Sequence, residues 1–354
     1  MKYWKIHQNI FFTKGFNRTL VFDSLKSKIQ FIPNDLYSIL LEKNFIISEE
    51  DIDEDYFEFL KENSLIFTDR KKILKRFTKL SDDFSINYDI GICVIELSEL
   101  TSENLVKLIE NENKYTSINQ FNFIFGSYTT QSSILKFIDF IYKYEVDLIE
   151  LTFIDGFTEI DFLFSSLNDI NRMFVINNFL DEKIKLKDTK YSNRMHSYVD
   201  IKSLKIYTSL FSFFESNLVN IYFYNKIFID KESNIKNSDK TSYVYSSLKE
   251  LNQIDFKKII KDKEFTKYWH SKKNDTLICK DCEFRNLCSD NRVPHLNSKN
   301  VWTHSQECEY NPYISKWNDE EGYLSLHDSG ITILNDDINI CSEKLNKINE
   351  TLWD

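Results

Sequence analysis

Four cysteines crowd into one short stretch near the C-terminus, and this crowding constrains the fold more than any other feature. Cys279, Cys282 and Cys288 form C-x2-C-x5-C within TLICKDCEFRNLCSDNR, and Cys308 follows in SQECEYNPY. The other two cysteines, Cys93 and Cys341, stand outside it. Four soft thiolates at such spacing hold zinc or an iron–sulfur cluster, and both are normally closed by four protein ligands. Residues 276–313 are therefore expected to form a knuckle around a metal, with Cys279, Cys282, Cys288 and Cys308 as its ligands. The spacing does not separate a [4Fe-4S] cluster from zinc. His295 and His304 lie in the same stretch, but four cysteines already close the site, so both are expected at the surface or in hydrogen bonds. A closed site is structural rather than catalytic.

The other 300 or so residues must build ordinary cores, and their composition allows it. Hydrophobic residues make up 42% of the 354, enough for two or three globular domains. Only 6 glycines and 3 prolines occur, so regular elements should dominate, and no Gly-rich phosphate loop is present to bind ATP. A net charge of −10 argues against a general nucleic-acid binder, which needs clustered Lys and Arg. The N-terminus has no export-signal pattern, no apolar run is long enough to span a membrane, and six cysteines are too few for a disulfide framework, so a cytoplasmic location is expected.

Periodicity divides the chain further. Residues 1–80 read as a small α+β domain. Alternation predicts strands over Tyr3–Phe12, Thr19–Asp23 and Lys28–Ile32, the last ended by Pro33. A helix capped by Asn34 follows, then a second opened by the acids Glu49–Asp51. The basic run Arg70–Arg76 marks a boundary. Over 83–215 strands and helices alternate: Ile90–Leu97, Ser102–Glu110, Phe121–Phe125, Ser132–Tyr144, Leu148–Phe153, Ile160–Leu167 and Met173–Asn177. Repeated βα units predict a mostly parallel sheet wound into an open or partial barrel. Residues 216–354 form the third part. Leu204–Phe214 reads as helix, Ile221–Ile229 and Ile235 as a hairpin turning at KESN, and Leu248–Asn252 and Glu264–Trp269 as short helical pieces.

The knuckle resembles the SPASM domain of radical-SAM peptide maturases, in which C-x2-C-x5-C and a later cysteine hold an auxiliary [4Fe-4S] cluster. WKIHQNIFFTKGFNRTLVFDSLKSKIQFIPNDLYSIL, IYFYNKIFID, KYWHSKKNDTLICKDCEFRNLC and CEYNPYISKWNDEEGYLSL sharpen the likeness to the SPASM-domain maturases of grasp-with-spasm systems. Those systems pair such a protein with an ATP-grasp ligase and a short ribosomal precursor peptide. The resemblance implies a degenerate radical-SAM-like α/β barrel between an N-terminal winged-helix-like peptide-recognition domain and a C-terminal SPASM knuckle. Two departures stand out. The family's cysteines for a further auxiliary cluster are missing around Cys279–Cys288. The C-x3-C-x2-C that holds the S-adenosylmethionine cluster is also missing: Cys93 lies inside the strand Ile90–Leu97, and the loop Ser98–Ser102 has no cysteine.

The resemblance thus implies a pseudoenzyme with one auxiliary cluster that does not bind S-adenosylmethionine and has no catalytic residues. Such a protein would bind the precursor peptide and present it to the ATP-grasp ligase. Recognition domains of this type capture a peptide by strand addition, and Lys26–Ile32 is the candidate edge, with Lys26, Lys28, Ile29, Gln30 and Phe31 as contacts. Two alternatives remain: a peptide-modifying enzyme working through the single cluster, and a metal-stabilised scaffold.

Overall fold

Apolar runs of strand length, separated by amphipathic helices, shape most of the chain. The computed structural model describes residues 2–80, 90–106, 118–143, 148–167, 170, 174–177, 191–192, 198–201, 204–250 and 255–353. The chain divides into two compact units. One comprises Met1–Phe84, Ser197–Ile221 and Ser271–Asp354, the other Ser85–His196 and Tyr222–His270. The three contiguous parts drawn from the sequence at 1–80, 83–215 and 216–354 give way to two interleaved ones, with residues 1–80 and the knuckle in the same unit.

The first unit opens with strands β1 (Tyr3–Ile6), β2 (Ile10–Lys14), β3 (Arg18–Asp23) and β4 (Lys28–Pro33). Helix α1 (Asn34–Glu42), β5 (Ile46–Ile47), helix α2 (Glu54–Glu62) and β6 (Ile66–Asp69) follow. The expected single strand Tyr3–Phe12 is broken by a turn in which Ile10 N–H donates to His7 O at 3.2 Å. Its halves serve different antiparallel sheets, β5-β1-β6 and β2-β3-β4. Asn34 does not cap α1. Its amide instead bonds Gly15 O and Phe16 O at 3.2 and 2.9 Å and accepts from Thr19 at 2.7 Å, tying the helix start to the β2–β3 turn. The acids expected to open α2 are displaced by Glu54 and Asp55, because Asp51 folds back onto Ser48 and Lys43. The basic run is a helical turn, Lys71–Leu74, within this unit.

The expected helix Leu204–Phe214 is split. Leu204–Tyr207 pairs antiparallel with Tyr198–Ile201, and a shorter helix, Leu210–Glu215, starts at Ser209, whose hydroxyl accepts from Ser212 N–H. Alternation won over helical spacing there because Ile206 bridges to Cys288 in the knuckle and is fully buried.

The second unit is an α/β layer built on β7 (Ile90–Glu96), β8 (Ile118–Phe125), β9 (Leu148–Phe153), β10 (Phe174–Asn177) and β11 (Tyr191–Ser192). The order is β11-β10-β9-β8-β7, then Lys226–Ile229, all parallel. Asn234–Lys236 and Ser246–Ser247 continue it antiparallel. This is the mostly parallel sheet expected from the βα rhythm, and among the described residues it is open, without barrel closure. Helix Gln131–Lys143 buries Ile134, Phe137, Ile138 and Ile141, the helical spacing that lets one face cover the sheet. In place of the helix expected at Ser102–Glu110 a shorter one spans Glu99–Glu103, and positions 107–110 lie outside the described residues. The hairpin strand expected from Ile221 begins only at Lys226. In place of the piece expected at Leu248–Asn252, partly outside the described residues, Phe256–Ile259 is helical, and Glu264–Trp269 forms turns. Among the described residues, no helix is long and apolar enough to cross a membrane.

Candidate metal centre

The knuckle presents its first cysteine from a strained backbone. Ile278 has φ 67° and ψ −50°, and Cys279 N–H donates to Leu277 O at 2.8 Å, which closes a γ-turn of the rare positive-φ kind. A β-branched residue rarely adopts this conformation, and such strain persists only where the surroundings enforce it. Ile278 packs with the buried Tyr313 and Ile314, which supply the enforcement. A single turn of 3-10 helix, Cys279–Asp281, leads to Cys282. Amide N–H groups two residues downstream meet two of the sulfurs. Tyr310 N–H lies 3.5 Å from Cys308 Sγ, and Phe284 N–H donates to Cys282. Such bonds favour the ionised thiol.

All four cysteines line one cavity of about 30 Å³. Burial pushes their thiols up, Cys308 to about 11 and the other three above the usual thiol range, and neighbouring cysteines add to this at Cys282, Cys288 and Cys308. Among the described residues, no group of three or more His, Cys, Asp or Glu side chains is arranged to hold a metal ion. The cysteines therefore share a cavity without forming a ready-made set of ligands around one point.

Three cations, Lys273, Arg285 and Arg292, line the same cavity. Lys273 is almost fully buried and bonds Asp290 at 2.8 Å and His304 Nε2 at 3.2 Å. Arg292 clasps Asp290 at 2.7 Å. Burial works against the Asp290 carboxylate, but Lys273 and Arg292 hold it well below the usual range. Burial, with Lys273 and Arg292, pushes His304 down to about 3, so it is neutral at pH 7. His304 is thus hydrogen-bonded to a lysine. His295 is exposed on the hairpin Pro294–Leu296/Trp302–His304, with Ser305 Oγ at 3.3 Å. Arg285 binds main-chain and amide oxygens: Asn274 Oδ1 at 2.7 Å, Lys14 O at 2.7 Å and Cys282 O at 2.8 Å. Sequence reasoning passed over Lys273, Asp290 and Arg292. The available signal was the charge flanking the cysteines, in KKND before Cys279 and SDNR after Cys288.

The β2-β3-β4 sheet rests on this knuckle. Leu20, Phe22, Phe11, Ile29 and Phe31 share a core with Phe284, Tyr310, Trp317 and three of the cysteines. Arg18 reaches the fully buried Glu283 at 2.7 Å and lies 3.7 Å from the centre of the Phe31 ring. Tyr310 OH bonds the same carboxylate. Phe16 N–H donates to Asp281 O at 2.7 Å. Gly15 is needed for this approach, since a Cβ there would stand 2.9 Å from Glu283 N and Cβ.

The candidate peptide contacts divide between two faces. Ile29 and Phe31 turn toward the knuckle, and Phe31 meets Phe284 with ring centres 5.6 Å apart. Lys28 and Gln30 turn the other way and both donate to Asn63 Oδ1. Lys26 lies in the β3–β4 turn, ahead of the strand, between Asp23 and Asn63 O. β4 pairs with β3 on one side and is an outer strand of its sheet.

In the second unit, the segment after β7 is held by its own side chains. Ser98 and Thr101 form a capping box, and Ser98 Oγ donates to Lys231 O at 2.6 Å. Lys231 N–H donates to Glu96 at 2.9 Å, and burial raises that carboxyl above its ordinary value. Cys93 is buried within β7. Asp155-Gly156 forms a turn with Gly156 at φ 85°, and Glu150 is buried, accepting from Gln120 and Asn122. No protein-family model, curated protein or solved structure matches this chain.

Proposed function

We propose that the chain is a non-catalytic partner in the maturation of a ribosomally made peptide. It binds the precursor through its N-terminal part and presents it to an ATP-grasp ligase. Cys279, Cys282, Cys288 and Cys308 hold one [4Fe-4S] cluster, with zinc as the alternative. In this reading the second unit is a radical-SAM-like sheet without its cluster, and residues 1–80 act as a winged-helix-like recognition module.

Four thiols lining one cavity, and the charges around them, support such a centre, which the thiols would close on binding. A metal held by four thiolates carries two negative charges whether the metal is zinc or a [4Fe-4S] cluster. Lys273, Arg285 and Arg292, less the Asp290 carboxylate, supply two positive charges around the cavity. With four neutral thiols those charges would stay buried without compensation, which is costly. When bound, the metal supplies folding energy by joining Cys279 to Cys308.

The observation that carries the functional reading is the seating of the β2-β3-β4 sheet on the knuckle. It leaves β4 as an outer strand whose inner face is fixed by the metal-binding region. The sealed segment after β7 supports the absence of radical chemistry. The test has two arms. Iron, zinc and sulfide analysis of anaerobically purified protein should give one centre per chain. Co-expression with short peptides encoded beside its gene should give a co-purifying precursor. A metal-free, fully folded chain, or one that retains no such peptide, overturns the corresponding half of the reading.

A further inference from the structure

The β5-β1-β6 sheet carries a groove on the face turned away from its core. Side chains alternate along a strand. Trp4 and Ile6 of β1 belong to the N-terminal core, whereas Tyr3 and Lys5 line a cavity of about 610 Å³ that also takes in Ile46 of β5. The helical turn Lys71–Leu74 packs on β1 and β6 and brings Lys71 and Lys75 to the β6 side. The turn after α1 brings Lys43 to the β5 side. Lys71 Nζ stands 4.1 Å from the centre of the Tyr3 ring, and Lys5 Nζ donates to Leu74 O at 3.1 Å. Glu50 and Asp51 are the acids of the groove, and Asp51 is already paired with Lys43 at 2.7 Å. Four lysines against two carboxylates leave the groove positive in a chain whose net charge is −10.

The shape of the groove selects among anions. Its basic groups stand on both sides of β1, separated by roughly two strand spacings, or about 10 Å. A lone phosphate or carboxylate would engage one side only. An extended peptide points alternate side chains to opposite sides and can engage both. A nucleic acid would need a longer basic track, and the net charge opposes it. Lys43 is exposed, and Asp51 also accepts from Ser48 N–H and Oγ, so the lysine can change partner at little cost.

We propose that this groove seats an extended acidic peptide segment, its carboxylates shared between Lys43 on one flank and Lys71 and Lys75 on the other. This rests on the reading that the chain captures a peptide, and it names a seat other than the β4 edge.

Fluorescence anisotropy with the full, metal-loaded chain tests it. The probes are a labelled dodecapeptide of alternating Glu and Ser, its Gln–Ser counterpart and a DNA strand of equal charge. The wild type should bind the Glu–Ser peptide at about 50 mM salt and release it at higher salt. It should ignore the Gln–Ser peptide. Lys71→Glu/Lys75→Glu should weaken binding on the order of tenfold, and the milder Lys71→Gln/Lys75→Gln severalfold, because like charges repel and neutral ones only cease to attract. Lys26→Glu/Lys28→Glu should change it by less than about twofold. Thermal melts confirm that each variant folds. Binding lost only in Lys26→Glu/Lys28→Glu would overturn the groove and leave peptide capture standing. No binding of the acidic peptide by the wild type, or tighter binding of the DNA, would overturn the groove as well, while co-purification of a precursor decides the broader reading separately.

Discussion

Buried charges set the energetics at the scale of single residues. Glu283 is fully buried and is held by Arg18 and Tyr310. Removing one partner of a buried pair leaves the other uncompensated, so Arg18→Met should cost about 3 kcal/mol in denaturant unfolding. Glu215 is a carboxyl whose burial raises it to about 7 from its ordinary value of 4.5. The folded chain therefore holds this proton more tightly than the unfolded chain does. The contribution of this group to stability is full below about 4.5 and is lost as pH rises toward 7. At about 1.4 kcal/mol per pH unit, the loss is on the order of 3 kcal/mol. Glu215→Gln should leave the melting temperature near pH 4 almost unchanged and raise it at pH 8. A pH-independent difference between variant and wild type would remove burial of the charge as the cause.

The notable element is the β2-β3-β4 sheet, whose two faces lie in different cores, with Ile10, Val21 and Ile32 joining the N-terminal one. One face is completed by Phe284, Tyr310, Trp317 and the cysteines. If the knuckle holds the proposed metal, order in that sheet should depend on it. Stripping the metal, or Cys282→Ser, should raise hydrogen exchange at β3 and β4 amides while the β7–β9 amides stay protected. Equal protection with and without metal would show that the hydrophobic contacts alone suffice. The turn between β2 and β3 is equally constrained. Gly15→Ala would push a methyl group into the Glu283 backbone, and overpacking of this kind costs about 1–3 kcal/mol. A chemical-denaturation midpoint unchanged from wild type would count against the close approach.

The whole molecule consists of two units threaded through one another in sequence, and its divisions are not where hydrophobic rhythm changes. A fragment of residues 1–84 would expose Phe11, Leu20, Phe22, Ile29 and Phe31, which the knuckle covers in the full chain. The fragment should therefore give a broad, non-cooperative melt by circular dichroism, and a sharp transition would mean that it is an independent domain. The full chain, reduced in the presence of S-adenosylmethionine, should release no 5′-deoxyadenosine, since the segment after β7 offers no cysteine and is bonded through Thr101 to Glu96 O and through Ser98 to Lys231 O.

Local events were legible in the order of the amino acids. Strand β9 (Leu148–Phe153) and the helix Ile160–Leu167 lie where periodicity puts them, because each is built from contacts within a few residues or with its neighbour in the chain. The clustering of Cys279, Cys282, Cys288 and Cys308 was legible for the same reason, being a matter of short spacing. Tertiary structure decided what depends on partners far along the chain. Asn34 left its cap for the β2–β3 turn, and Leu204–Tyr207 became a strand beside Cys288. Lys273 met Asp290, and Arg18 met Glu283 across 265 positions. Burial and charge pairing act through space, and a pattern read over ten residues carries no record of which distant residue will complete it.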